Sequence, residues 1–409
     1  MANASGISVI ATFGSIAKIG ALILLLFLTI ATNRSEKARA PSINQKITLT
    51  ALWTTAGFAM VSIIWSASWL ETLTEGGTVV ILVYILHFAS STRWRQRTVL
   101  IDDFVAIYRV LLAVLALGSV LSFAGFGDAI GGAGRHQGLF ANPNMLGVIA
   151  AVTFTIGVGI ALEKRRLILW LILLIPLANV LLSESRTALV AIFVGVLWAV
   201  VRSKIILLIP LGFGVVLTSL VFAVAGINHF GGTIERFTES EEGDLLNSRT
   251  QAWQEVIWNI QENPLGAGWA AGRVAMEQFY NMGYTSSGIF TMHNSWFQIF
   301  NELGWVGFIP ISLLIYATIR VALQADASGF GFGLVATILT GSMIHITESV
   351  MFGIGQPYPY IFWAAVLGAT MSVPTKTKLP QHPNEKFPLP NRFHASNWNQ
   401  SGSSPLVMP

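Results

Sequence analysis

The sequence predicts an all-α polytopic membrane protein with about 11 transmembrane helices and one long extracytoplasmic loop. Three observations carry this reading. Of 409 residues only 11% are charged and 53% are hydrophobic, with a mean hydropathy of +0.64. Apolar stretches of membrane-crossing length recur along the chain. Basic residues collect in alternate loops. An average soluble domain carries roughly 25% charge, so a soluble enzyme, a disordered chain and a nucleic-acid binder are excluded. The chain has no cysteine, which removes disulfides, thiolate metal sites and thiol nucleophiles.

The expected spans are residues 8–31, 47–67, 77–91, 104–123, 144–162, 167–183, 187–201, 205–225, 294–319, 329–349 and 357–373. The sixth and seventh are separated only by Glu184, Ser185 and Arg186, which predicts a tight helical hairpin. Ala38-Arg39-Ala40 resembles a signal-peptide cleavage site, but the first apolar stretch is too long and its basic residues follow it. The polytopic domain runs over 1–373, with the extracytoplasmic loop at 226–292. The tail, 374–409, is rich in Pro, Asn, Ser and Gln and is expected to be disordered and cytoplasmic.

With the N-terminus outside and the C-terminus inside, 17 of the 24 Lys and Arg residues fall in cytoplasmic segments. Lys18 and Arg109 lie within spans. Arg135, Arg186, Arg236, Arg249 and Arg273 remain outside, and none of these five is a lysine. Arginine grips phosphate with a planar, bidentate fork, so the outside arginines point to an anion.

Four segments gather these residues. Gly134-Arg135-His136 leads to Asn142-Pro143-Asn144, where proline suits a helix start; Arg135 is there either a loop arginine or an anion ligand. Glu184-Ser185-Arg186-Thr187 sits in the hairpin, as a salt bridge or as part of a site. Asn247-Ser248-Arg249 precedes Trp253, Val256, Ile257 and Ile260, a spacing that predicts an amphipathic helix. Arg249 then falls in its first turn, where a cation is disfavoured unless an anion binds. Trp253 and Trp258 are expected to rest on the membrane interface. Gly266-Ala267-Gly268-Trp269 reads as a flexible loop. Met292-His293-Asn294-Ser295-Trp296 opens the ninth span, with His293 either a helix anchor or a base near neutral pH. Arginines beside a histidine suit chemistry on a diphosphate: the cations neutralise the leaving group while the histidine takes a proton from a hydroxyl.

These residues resemble the O-antigen ligase family, whose superfamily includes Wzy-type polysaccharide polymerases. The family's pattern of His, then Asn, Ser or Gln, nine residues, Gly, two residues, Gly is matched by His293, Asn294, Gly304 and Gly307. Ser185-Arg186-Thr187-Ala188 is similar to its arginine at a helix start. Ser248-Arg249 through Trp253, with Asn263-Pro264-Leu265-Gly266-Ala267-Gly268, is similar to its periplasmic segment. The resemblance implies a GT-C-like, metal-independent glycosyltransferase with no cofactor. Its donor is a glycan on undecaprenyl diphosphate, and its acceptor is a hydroxyl on a glycan or lipid at the outer face of the bacterial cytoplasmic membrane. His293 would then be catalytic, Arg186, Arg249 and Arg135 would bind the diphosphate, and Asn294 and Glu184 would support them. A Wzy-type polymerase, adding repeat units, is the alternative.

A transporter is the competing class. Its candidates are Lys18, His87, Arg109, and His345 with Glu348 on one face of the tenth helix, where Glu348 is placed near the outer end. Glu71 and Glu75 read as solvated loop residues rather than metal ligands. So does the run Glu239 to Asp244, which lacks the spaced ligands of a calcium loop.

Overall fold

A computed structural model describes residues 41–124, 135–140, 142–203, 249–281, 292–353 and 356–371. Its helices are α1 (Ile43–Val61), α2 (Trp69–Ser91), α3 (Arg97–Phe123), α4 (Pro143–Lys164), α5 (Leu167–Ile172), α6 (Leu174–Leu182) and α7 (Arg186–Ser203). After the undescribed stretch come α8 (Arg249–Glu262), α9 (Gly272–Asn281), α10 (Ser295–Leu303), α11 (Phe308–Gln324), α12 (Phe330–Thr347) and α13 (Tyr358–Met371). No strand occurs among the described residues.

Six spans, Ile43–Ile64, Trp69–Ser91, Arg97–Phe123, Pro143–Lys164, Ser295–Gln324 and Phe330–Thr347, are long and apolar enough to cross a membrane. Nine of the expected spans fall on described residues, and each coincides with helix. The expected spans 8–31 and 205–225, most of the long loop and the tail lie outside the described residues. The sixth span is interrupted at Leu173, between α5 and α6.

Helix α4 is the centre of the bundle. Every residue from Met145 to Ala161 is buried, as a helix apolar all round must be. It runs antiparallel to α12. At one end Glu163 Oε2 accepts the Phe330 amide (2.9 Å), and at the other Asn144 meets Glu348. Between them Gly159 and Gly333 touch. A Cβ on Gly159 would come within 2.7 Å of the Gly333 Cα, so only glycine lets the two backbones approach this closely. Helix α7 also runs antiparallel to α12: Thr340 donates to the Ala191 carbonyl (3.1 Å), and Arg202 reaches the Leu323 carbonyl (2.6 Å).

The two ends of the bundle differ in charge. At one, Arg93 pairs with Asp103, Arg97 with Glu163 and Arg320 with Asn44. These are arginines assigned to the cytoplasm, which spatially share one end. Helix α2 begins earlier than expected, because Ser68 and the acidic Glu71 suit a helix start. Glu71 and Glu75 therefore lie on a helix, not in a solvated loop, and Glu75 borders a small cavity with Glu302 and Gln298.

Candidate active site at the arginine-rich end

Helix α10 is defined at both ends by its sequence pattern. Asn294 is its N-cap, and its side-chain oxygen accepts the amides of Trp296 (2.9 Å) and Phe297 (3.1 Å). Gly304 is its C-cap, with φ of 59°. A Cβ there would collide with the Pro264 carbonyl oxygen, so the position needs glycine for both conformation and space. The spacing between His293-Asn294 and Gly304 is thus the length of one helix.

The segment after α8 caps the far end of α10. Ala267 and Gly268 donate to the carbonyls of Asn301 (3.0 Å) and Glu302 (2.8 Å), and Trp305 donates to Pro264 (2.9 Å). Trp269 donates to Ser62 Oγ (2.9 Å), and Ala67 donates to the Ala267 carbonyl (2.8 Å). Residues 266–269 are therefore docked rather than a flexible loop. The physical reason is that the last carbonyls of a helix need donors, and this segment supplies them.

The expected amphipathic helix is α8. Val256, Asn259 and Ile260 are buried, while Ile257 is exposed. Trp253 stacks on Phe297 with ring centroids 5.3 Å apart and donates its indole N–H to the Met292 carbonyl (2.9 Å). It packs on the protein, and the carbonyl satisfies its polar tip. Further along, Asn259 donates to Asn301 Oδ1 (2.7 Å). These contacts make α8 parallel to α10. Arg249, its first residue, and His293, just ahead of α10, therefore lie at the same end.

The remaining residues meet there through a chain of polar contacts. His293 Nδ1 is 3.5 Å from Glu348 Oε2. Glu348 Oε1 accepts from the Asn144 side-chain amide (3.2 Å). Asn144 Oδ1 accepts from Arg135 (3.1 Å). Arg135 also donates twice to the Ser183 carbonyl, at 3.1 and 2.6 Å, and its Nε lies 3.9 Å from Glu184 Oε2. Arg186 opens α7 two residues later, and Ser185 Oγ accepts the Ala188 amide there (3.4 Å). Asn294 further ties the strand of chain after α12: its backbone N–H donates to Ser349 Oγ (3.1 Å) and its side chain to the Ile346 carbonyl (2.9 Å). Ser295 Oγ donates to the Glu348 carbonyl (2.7 Å).

Two of these residues hold left-handed backbone, Glu184 at φ 51° and His293 at φ 45°. Such strain costs on the order of 1–3 kcal/mol and gathers at functional sites. Helices α4, α7, α8 and α10 all begin at this end, so their partially positive N-termini and unpaired amides converge on it. His136, next to Arg135, is buried against Ser122 (2.9 Å) and Asn179 (3.4 Å). Desolvation lowers its pKa, partly offset by the hydrogen bond with Asn179.

The structure thus joins Arg135, Glu184, His293 and Asn294 by direct contacts and places Arg186 and the start of α8 at the same end. Asn247 and Ser248, the expected caps of α8, lie outside the described residues. Sequence reading missed Asn144, taken only as a helix start, and left Glu348 between two roles. The signal for Asn144 was present in the Asn-Pro-Asn start, which holds an amide nine residues after Arg135. Of the transport candidates, Lys18 is not described and His345 is buried against Trp296, Tyr358 and Phe362. His87 accepts from Trp53 (2.9 Å), and Arg109 is exposed on α3.

Residues 169–312 match the family model Wzy_C, described as O-antigen ligase. No curated protein matches the chain. The matched segment includes Glu184, Arg186, Arg249, His293 and Asn294, while Arg135, Asn144 and Glu348 fall outside it and join it in space. That segment is similar to the O-antigen ligase family, a family of glycosyltransferase-like enzymes.

Proposed function

We propose that the protein transfers a glycan from an undecaprenyl-diphosphate carrier to a hydroxyl on a glycan or lipid acceptor. The reaction takes place at the extracytoplasmic face of the bacterial cytoplasmic membrane, with a GT-C-like membrane domain as scaffold. The observation that carries the reading is the pairing of His293 with the buried Glu348 at the end where four helices begin and Arg186 and Arg249 are placed.

In this reading Glu348 accepts a hydrogen bond from Nδ1–H of the neutral His293, a tautomer that leaves Nε2 unprotonated. Nε2 takes the proton from the acceptor hydroxyl as its oxygen bonds to the anomeric carbon. The bond from that carbon to the diphosphate oxygen breaks, and undecaprenyl diphosphate leaves with the electron pair. Arg186, Arg249 and the helix N-termini offset the charge that develops on it. The matching family model is described as O-antigen ligase, and a Wzy-type polymerase is the alternative.

Analysis of surface glycans in a deletion strain tests the assignment. Loss of attachment with the lipid-linked polymer retained supports a ligase. Accumulation of single repeat units would reassign the protein as a polymerase, and an unchanged glycan profile would sink both.

A further inference from the structure

We propose that Asn144 is a positioning residue for the reaction: oriented by Arg135, it donates to Glu348 and holds that carboxylate as the acceptor for His293. The proposal rests on the reading of His293 as the base and assigns a role to a residue outside the matched segment.

The argument is one of donors and acceptors. An asparagine amide has one accepting and one donating end. Arg135 can only donate, and it bonds to Asn144 Oδ1 at 3.1 Å. The NH2 end is thereby aimed at Glu348 Oε1, 3.2 Å away. Reversing the amide would set its NH2 against the guanidinium and its oxygen against the carboxylate, losing both bonds. Arg135 is itself locked, with a side chain only 14% exposed and two bonds to the Ser183 carbonyl. The orientation of Asn144 is therefore set from the hairpin that carries Glu184 and Arg186. The hydrogen bond from Asn144 fixes one carboxylate oxygen of Glu348, and the second oxygen is the one beside His293 Nδ1. The charged or titratable groups linked to Glu348 are His293 ahead of α10, Arg135 and Glu184 beyond Asn144, and His345 one turn back on α12, while Arg186 opens α7 at the same end.

A purely structural Asn144 predicts the opposite of a positioning one. It is the second residue of α4, where aspartate is welcomed by the helix dipole and could pair with Arg135. If the residue only starts a helix, Asn144→Asp is harmless. If it positions Glu348, the variant sets a carboxylate against a carboxylate and adds negative charge beside His293.

The test uses the full chain in detergent with diethyl pyrocarbonate as probe, reading the His293 peptide by mass spectrometry across pH. His293 is 38% exposed, enough for the reagent to reach. Asn144→Asp is expected to raise the pH midpoint of His293 modification by about one unit relative to the parent, with transfer lost at neutral pH and partly regained at higher pH. Asn144→Ala is expected to lower kcat about tenfold, with the KM for the lipid-linked donor unchanged. An unmoved midpoint in Asn144→Asp overturns the proposal. If that variant fails to accumulate, an unchanged kcat in Asn144→Ala overturns it instead. A moved midpoint together with full transfer by His293→Ala would keep the positioning network and remove His293 as the base. Inert Asn144 variants beside a dead His293→Ala would do the reverse.

Discussion

Arginines occur at both ends of this bundle and are handled in two different ways. At the basic inner end Arg93 and Arg97 are 39% and 53% exposed, and each meets a nearby carboxylate. Hydrogen bonding to Asp103 raises the pKa of Arg93. At the other end Arg135, Glu184 and Glu348 are 14%, 10% and 8% exposed. They are linked in series, and Glu184 and the adjoining His293 hold left-handed backbone, as Arg165 does at the C-cap of α4 at the basic end. Exposed ion pairs contribute little, about 0–1 kcal/mol, so the arginines at the basic end add little to stability. Buried charges are costly unless fully partnered, so a buried chain of them is the observation on which the proposed site rests. What the comparison teaches is that residue type alone says little about an arginine's role; burial and connection decide it.

The largest effect that would sharpen this contrast is at His293. His293→Ala is expected to lower the transfer rate by about 100- to 10,000-fold while the protein still inserts and binds the lipid-linked donor. Donor binding and turnover are measured separately, and full turnover in His293→Gln would reduce the histidine to a helix anchor. Next come the arginines that open α7 and α8. Arg186→Lys and Arg249→Lys should each lose about 2–4 kcal/mol of transition-state stabilisation, because an ammonium cannot reproduce a bidentate contact. Normal turnover in both, at normal protein levels, would place them with the inner arginines.

At the inner end the expectation reverses. Asp103 accepts from Arg93 and from the indole N–H of the buried Trp94 (3.1 Å). Asp103→Ala leaves that donor unsatisfied and should destabilise by about 1–3 kcal/mol with turnover per folded molecule unchanged. A specific loss of kcat there would break the division between the two ends. Thermal unfolding in detergent and transfer assays on the same preparation supply both numbers.

A smaller effect concerns His136. Its pKa is lowered in the folded state by desolvation, so the unfolded chain binds more protons below the ordinary histidine range. The stability that its neutral form contributes is therefore present above about pH 6.5 and is lost as pH falls through the folded pKa. His136→Gln should flatten the loss of thermal stability between pH 7 and pH 5, and an identical slope in parent and variant would exclude this source. The smallest expected effect is that of a strong chelator, which should leave transfer intact because the proposed charge stabilisers are arginines and helix N-termini. Loss on chelation, restored by added magnesium or manganese, would replace that account.

The sequence by itself determined the membrane class and most helices on described residues, though not α9 or the early start of α2. These follow from local composition, which a bilayer reads one segment at a time. It also marked His293, Asn294, Arg186 and Arg249, because each stands at a helix start, and helix starts are written in short stretches of chain. Only the tertiary structure decided that Gly266 to Trp269 is a cap on α10 rather than a free loop. It alone placed Trp253 on Phe297, and Glu348 beside His293 and Asn144. Those partners are 55 and 204 residues apart. Nothing local specifies such a meeting. It is set by the antiparallel packing of α4 on α12 through Gly159 and Gly333, which brings the start of one helix to the end of the other.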